Sequence, residues 1–329
     1  MKWHYLQCLL LGVLTTSAHA QMSELADAQW QALYEAHQYA QLEQQAQTYL
    51  QAHPDDPQAV LALALAAGQD AEKGKAVLTR AQDCVARDPK AAPCYLASGM
   101  LMSKQIAAGG PLTAMRYGAA IGNAFERAVQ LQPAYFPARS ALIEFYLGAP
   151  RIVGGGIDKA RVAARATPPE QADYARILRG QVAAAADQND VANGEFGAVH
   201  PGADAQLARW LRLARVDFGF ALLEDKQYDQ ARAVFDALAR EQPDRAEGYY
   251  GLGRCALQNN DPQGAIAQFE KAQGLPGGEA LPLDQRLGQA YAAKGDKQKA
   301  KALLERFLRQ PNMSKGNVDM ARKLLAELS

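Results

Sequence analysis

Apolar residues return to one helical face, block after block, over the C-terminal third of the chain. Phe218-Gly219 is followed twelve residues after the glycine by Ala231, then by Phe235, Leu238 and Pro243. The next block repeats this with Leu252-Gly253, Ala265, Phe269, Ala272 and Pro276, and a third with Leu287-Gly288, Ala300, Leu304, Phe307 and Pro311. The glycines are 34 and 35 residues apart, and the step from glycine to alanine is twelve in all three blocks. At the other end of the chain Trp30, Leu42, Ala46, Tyr49 and Pro54 keep the spacing with poorer chemistry, and Ala64, Ala76 and Pro89 continue it. A fixed period of this length predicts stacked helical hairpins.

Each residue type has a physical reason. Two antiparallel helices of roughly 12–15 residues need small side chains where their backbones approach, which places Gly253 opposite Ala265. Large apolar residues such as Leu252 and Phe269 fill the flanking space. Proline closes the second helix, because it lacks an N–H and disfavours α geometry in the residue before it. Prolines at 54, 89, 133, 168–169, 243, 276 and 311 form an irregular ladder whose wider steps mark inserted sequence. Gly109-Gly110-Pro111 predicts a chain break inside a helix pair. Residues 147–158 (LGAPRIVGGGID) predict a lengthened loop before a helix with Asp158 as its N-cap. Residues 189–203 hold too much glycine for a regular second helix and predict a loop or a worn-down repeat. Residues 314–328 read as a capping helix that Ser314 begins.

These residues resemble the tetratricopeptide-repeat (TPR) family, well over 212–313, fairly over 23–90 and in degraded form between. The resemblance implies an all-α fold: a right-handed TPR-type α-solenoid of antiparallel helix pairs, irregular in the middle, with a C-terminal capping helix. The expected organisation is a signal peptide at 1–20, degenerate units at 21–90 and irregular units with inserted loops at 91–203. Well-formed units follow at 204–313 and the cap at 314–329.

Composition agrees with helices. The chain has 66 Ala and 31 Gln; alanine is the best helix former and lets helices approach closely. Lys plus Arg equals Asp plus Glu at 35 each, so no global field favours nucleic acid or an anionic membrane. Lys2, the apolar run Leu6 to Leu14 and Ala18-His19-Ala20 have the layout of a leader cleaved near Ala20; a buried N-terminal helix is the competing reading. The apolar run is too short for a ~30 Å hydrocarbon core. The mature chain is therefore expected in the periplasm or secreted, without a transmembrane segment, and the resemblance narrows to exported TPR proteins of the bacterial envelope.

Removing Cys8 leaves Cys84, Cys94 and Cys255 in a compartment that permits disulfides. Cys84 lies near the end of a second helix and Cys94 in the first turn after the Asp88-Pro89 break, positions that a short turn brings together. The expected bridge is Cys84–Cys94, with Cys255 the odd buried thiol; three unpaired buried thiols are the alternative. No Cys or His spacing fits a metal site, and neither a cofactor nor a metal is expected.

Catalytic chemistry finds no constellation, and no enzyme activity is expected. The GGG at 154–156 enters a helix as phosphate loops do, yet no strand precedes it and no Gly-Lys-Ser/Thr follows. A structural turn is the better reading. Solenoids of this type bind partners on the face built from first helices, where aromatic and arginine side chains make hot spots. The candidates are Tyr95, Arg139, Tyr146, Phe220, Tyr250, Arg254, Arg286 and Gln289, and the expected partner is a protein or peptide bound by an adaptor of envelope assembly or maintenance. The alternative is a lipid or another small apolar ligand. The Pro-x-x-x-Gly-Gly loop, similar to one in some envelope TPR proteins and in mitochondrial TPR domains implicated in lipid contact, motivates it.

Overall fold

The computed structural model describes residues 21–67, 70–310 and 313–328, which are helical with short 3-10 turns and hold no strand. The proposed leader and Cys8 lie outside the described residues. The chain forms two compact units that divide after Leu211. Unit 1 contains α1 (Ala28–Glu35), α2 (Tyr39–Ala52), α3 (Pro57–Ala66), α4 (Ala71–Arg87), α5 (Ala92–Leu131), α6 (Phe136–Gly148), α7 (Ile157–Arg165), α8 (Ala172–Ala184) and α9 (Asn189–Gly197). The helix α10 (Ala205–Glu224) runs across the division. Unit 2 continues with α11 (Tyr228–Glu241), α12 (Ala246–Gln258), α13 (Pro262–Gln273), α14 (Leu283–Lys294), α15 (Lys297–Leu308) and α16 (Lys315–Leu328).

One turn recurs within the helix pairs. His37, Asp187, Lys226, Asn260 and Gly295 all have left-handed backbones. In each case the next residue donates its N–H to a carbonyl five residues back: Gln38 to Leu33, Gln188 to Ala183, Gln227 to Leu222, Asp261 to Ala256 and Asp296 to Tyr291, at 2.8–2.9 Å. This is the capping motif in which a left-handed residue satisfies the orphan carbonyls of a helix end. Its presence at 187 marks α8 and α9 as a true helix pair. A second turn joins one pair to the next, with proline at its second position: Asp56 N–H to His53 O, Ala91 to Asp88, Tyr135 to Gln132 and Arg245 to Gln242.

Several expectations need correction. At Gly109-Gly110-Pro111 the backbone stays helical within α5, yet α5 is no straight rod. Gly99 lies against Phe125, 26 residues on, where a straight helix would hold the two about 39 Å apart, so the chain folds back between them as a helix pair. The two halves of α5 thus pack on each other, with Gly99 of the first seating Phe125 of the second. Of the two readings of 189–203, the worn-down repeat holds and the loop does not: residues 189–197 are helix, held by Ala192 and Phe196, both buried. The side chain nearest Gly253 is Phe269, just as Gly219 has Phe235 and Gly288 has Leu304, with the Ala300 carbonyl also 3.4 Å from a Cβ built at Gly288. The small residue of the first helix seats the large residue one turn beyond the alanine. Asp158 is not an N-cap, a place held by Gly156; it lies in the first turn and pairs with Arg161 at 2.8 Å.

Cys84 on α4 and Cys94 on α5 are joined as a disulfide, with Cα atoms 5.9 Å apart. Cys255 is free and buried. Ser314 accepts a long 3.4 Å bond from Asn317 N–H at the start of α16. Among the described residues no helix is long and apolar enough to cross a membrane.

Candidate functional site

In unit 2 the first helices of successive pairs, α10, α12 and α14, carry five of the expected residues, and the structure brings them into one connected run. Phe220, Arg254 and Gln289 each directly follow the glycine that seats a second-helix side chain, so the repeat places them in register. The Arg254 guanidinium lies 5.1 Å from the centre of the Phe220 ring. Phe220 meets Tyr250 edge-on at 5.8 Å. The Tyr250 hydroxyl accepts a 3.3 Å bond from Arg286 Nε, and Arg286 Nη1 donates to Gln289 Oε1 at 3.1 Å. Phe235 and Phe269 back the run at 5.2 Å from Phe220 and 5.7 Å from Tyr250.

The charges on this face are not neutralised. Burial holds the Arg254 guanidinium below the usual arginine range, and the nearby Arg286 charge acts the same way, opposed by Tyr250 and Glu224. Neither Arg254 nor Arg286 has an ion pair with a carboxylate among the described residues. Other arginines of unit 2 do: Arg212 pairs with Glu247 at 3.1 Å, and Arg306 grips the buried Asp284. The face therefore has aromatic area, two unpaired guanidinium groups and an amide.

In unit 1 the three expected residues have separate roles. Among the described residues Tyr95 makes only a long 3.4 Å bond to Pro89 O. Arg139, 3% exposed, clamps the backbone by donating to Ala163 O at 3.0 Å and Pro133 O at 2.9 Å. Tyr146 donates to Glu126 at 2.7 Å; burial, then that carboxylate, pushes its phenol well above the usual range. Arg139 and Tyr146 line one groove of about 550 Å³ with Glu126, Val129, Leu142 and Val162. The glycine loop closes beside it, where Lys159 Nζ donates to Gly154 O at 2.9 Å and lies 5.5 Å from the Tyr146 ring centre.

A second cluster in unit 1 escaped the sequence reading. Residues 23–27 form a bent, non-helical segment ahead of α1, and first-helix side chains hold it. Trp210 Nε1 donates to Met22 O at 2.8 Å, and the Tyr135 hydroxyl donates to Glu24 O. Leu25 N–H donates to Gln31 Oε1 at 2.9 Å and Ala26 N–H to Gln58 Oε1 at 3.0 Å. Arg209 forks onto the Glu24 carboxylate at 2.8 and 3.1 Å, and Gln31 Nε2 adds a 2.9 Å bond. Glu24 is 6% exposed and Leu25 only 1%. Phe136 supports Trp210 edge-on at 5.0 Å and Tyr174 at 4.7 Å. Burial pulls the Arg209 guanidinium down, but the Glu24 charge and hydrogen bonds outweigh it and leave it raised. The available signal was the Arg209-Trp210 pair on a first helix; Ser23 to Ala26 carries no periodicity to betray its burial.

Tetratricopeptide-repeat family models match residues 216–280 and 285–312. Those two stretches carry tetratricopeptide repeats. No curated protein matches it. Among solved structures, the chain is similar to one of the APC/C hetero-tetramer Cut9-Hcn1 at 16% identity and TM-score 0.48, covering 91% of this chain and 54% of that one. It thus spans about half the length of that relative. PilW, a type IV pilus biogenesis factor, is 12% identical with TM-score 0.43, over 87% of this chain and 98% of that one. A tetratricopeptide-repeat protein from Parabacteroides merdae is 14% identical with TM-score 0.46, over 88% and 98%.

Proposed function

We propose that this protein is a non-catalytic adaptor, exported to the cell envelope, that binds a peptide segment of a protein partner on the first-helix face of unit 2. The observation that carries the reading is the run from Arg254 through Phe220, Tyr250 and Arg286 to Gln289, with its two unpaired guanidinium groups. Aromatic and arginine side chains supply most of the energy in protein interfaces. An Arg pair without counter-charge gains most from a partner that brings one. The Cys84–Cys94 bridge supports an oxidising compartment, as the leader layout does. A photo-cross-linker in place of Gln289, activated in cells, tests the reading. Capture of one defined envelope protein, lost in Phe220→Ala and in Arg254→Ala, supports it; capture unchanged by both variants sinks it.

A second reading has its own observation. The groove of about 550 Å³ in unit 1 has Val129, Leu142, Val162, Ala163 and Ala166 in its walls, with Arg139 and Lys159 beside them. A lipid or other apolar molecule with a polar end fits such a lining. Native mass spectrometry of the purified protein distinguishes the two: a bound small molecule lost in Leu142→Asp favours the groove, and a bare chain favours the adaptor.

A further inference from the structure

We propose that the first-helix face of unit 1 is itself a peptide-binding site, filled here by residues 22–26 of the same chain, and that its partner is a segment of another protein carrying glutamate followed by a bulky apolar residue. Four main-chain groups of the segment, the carbonyls of Met22 and Glu24 and the amides of Leu25 and Ala26, are satisfied by side chains and not by other backbone. Receptors read a bound peptide in this way, with main-chain bonds for affinity and pockets for alternate side chains. The pockets are an Arg209–Gln31 fork for the carboxylate and the buried seat of Leu25.

All the holding residues come from first helices or the turn that leads into one: Gln31 on α1, Gln58 on α3, Tyr135 before α6, Arg209 and Trp210 on α10. These are the positions that face a ligand in a solenoid. A purely structural closure has no need of a buried glutamate, since apolar residues of similar volume usually serve stability as well or better. The bonds bring residues 185 and 188 positions apart together, so the segment closes the face as a tethered ligand. A short tether gives an effective concentration on the order of millimolar. A partner must exceed that, or find the segment already released.

The test uses the mature chain and a fluorescent hexapeptide of the sequence of residues 21–26. The double variant Glu24→Ala/Leu25→Ala is expected to bind the hexapeptide at least tenfold more tightly than the unaltered chain. Adding Arg209→Ala to the double variant is expected to abolish that gain, as is changing the peptide's glutamate to alanine. Equal binding by the unaltered chain and a double variant that still melts cooperatively overturns the proposal. Hydrogen exchange on the unaltered chain needs no variant. The amides of Leu25 and Ala26 are expected to open before those of α3 and α6, and faster with excess hexapeptide. Exchange only in step with α3 and α6, unmoved by the peptide, overturns the proposal as well. Neither result bears on the unit 2 face, which the hexapeptide does not probe.

Discussion

Gly253 and Phe269 occupy one volume: a Cβ built on Gly253 would fall 2.4 Å from Phe269 Cε1. Phe269 is fully buried, so it has nowhere to retreat. Overpacking a core of this kind costs about 1–3 kcal/mol. Gly253→Ala is expected within that range and Gly253→Leu at or above its upper end, read as a lower midpoint in a denaturant melt. Gly253→Ala combined with Phe269→Leu should recover part of the loss, because the smaller side chain gives back the space. A double variant no more stable than Gly253→Ala alone would place the strain elsewhere.

Gly155 illustrates a cost the chain itself did not reveal. From the sequence, Gly155→Ala looks milder than Gly253→Leu unless the residue has a positive φ. Gly154 and Gly156 have it, at 103° and 143°, whereas Gly155 does not. A Cβ on Gly155 nevertheless falls 1.8 Å from the carbonyl oxygen of Ala149, which is backbone and cannot rotate away. Gly155→Ala is therefore expected to cost about 2 kcal/mol or more by displacing the loop. Gly148→Ala, with nothing within 4 Å of the added atom, is the control and should lose nothing. Thermal melts of the two variants side by side decide it.

The difference between these glycines explains what the sequence could carry. Periodicity reports contacts inside a repeating unit, so the unit 2 run at Phe220, Arg254 and Gln289 was legible from its place after each packing glycine. Gly109-Gly110-Pro111 marked the reversal that brings Gly99 against Phe125, while the helical backbone kept through those three residues depends on packing that local chemistry does not carry. The Glu24–Arg209 fork joins residues 185 positions apart through a segment without a pattern, and no local signal encodes a contact of that range. Arg139 was rightly picked as a first-helix residue, yet only the structure shows its guanidinium spent on backbone carbonyls.

Lys226 has φ 61° in the turn between α10 and α11, where Asn260 and Gly295 stand in the equivalent turns. Left-handed geometry costs an ordinary L-residue roughly 1–2 kcal/mol, and glycine returns roughly 0.5–1 of that through chain entropy. Lys226 is exposed, so little else is lost with its side chain. Lys226→Gly is expected to raise stability by about 0.5–1 kcal/mol and Lys226→Asn by somewhat less. An unchanged or lowered melting temperature for both would mean that the lysine side chain contributes more than its exposure suggests.

The three described cysteines should separate cleanly by chemistry. Cys84 and Cys94 are bridged across the turn between α4 and α5, and a loop of this size contributes about 2–3 kcal/mol by limiting the unfolded chain. Cys255 is 2% exposed, and burial is the first of the causes that push its thiol up to about 11. Its reactive thiolate is therefore scarce at pH 8 and hidden when present. Alkylation of the folded, non-reduced mature protein at pH 8 is expected to label no cysteine, and unfolding without reductant is expected to expose Cys255 alone. Reduction followed by unfolding should label all three and lower the midpoint of a denaturant melt by the amount above. Because a group whose folded pKa is raised favours the protonated native state, any stability from the neutral Cys255 thiol is intact at pH 8. It falls only as pH climbs past the ordinary thiol range towards 11. Labelling of Cys84 and Cys94 before reduction would remove the bridge, and rapid labelling of Cys255 in the folded protein would remove its place in the core.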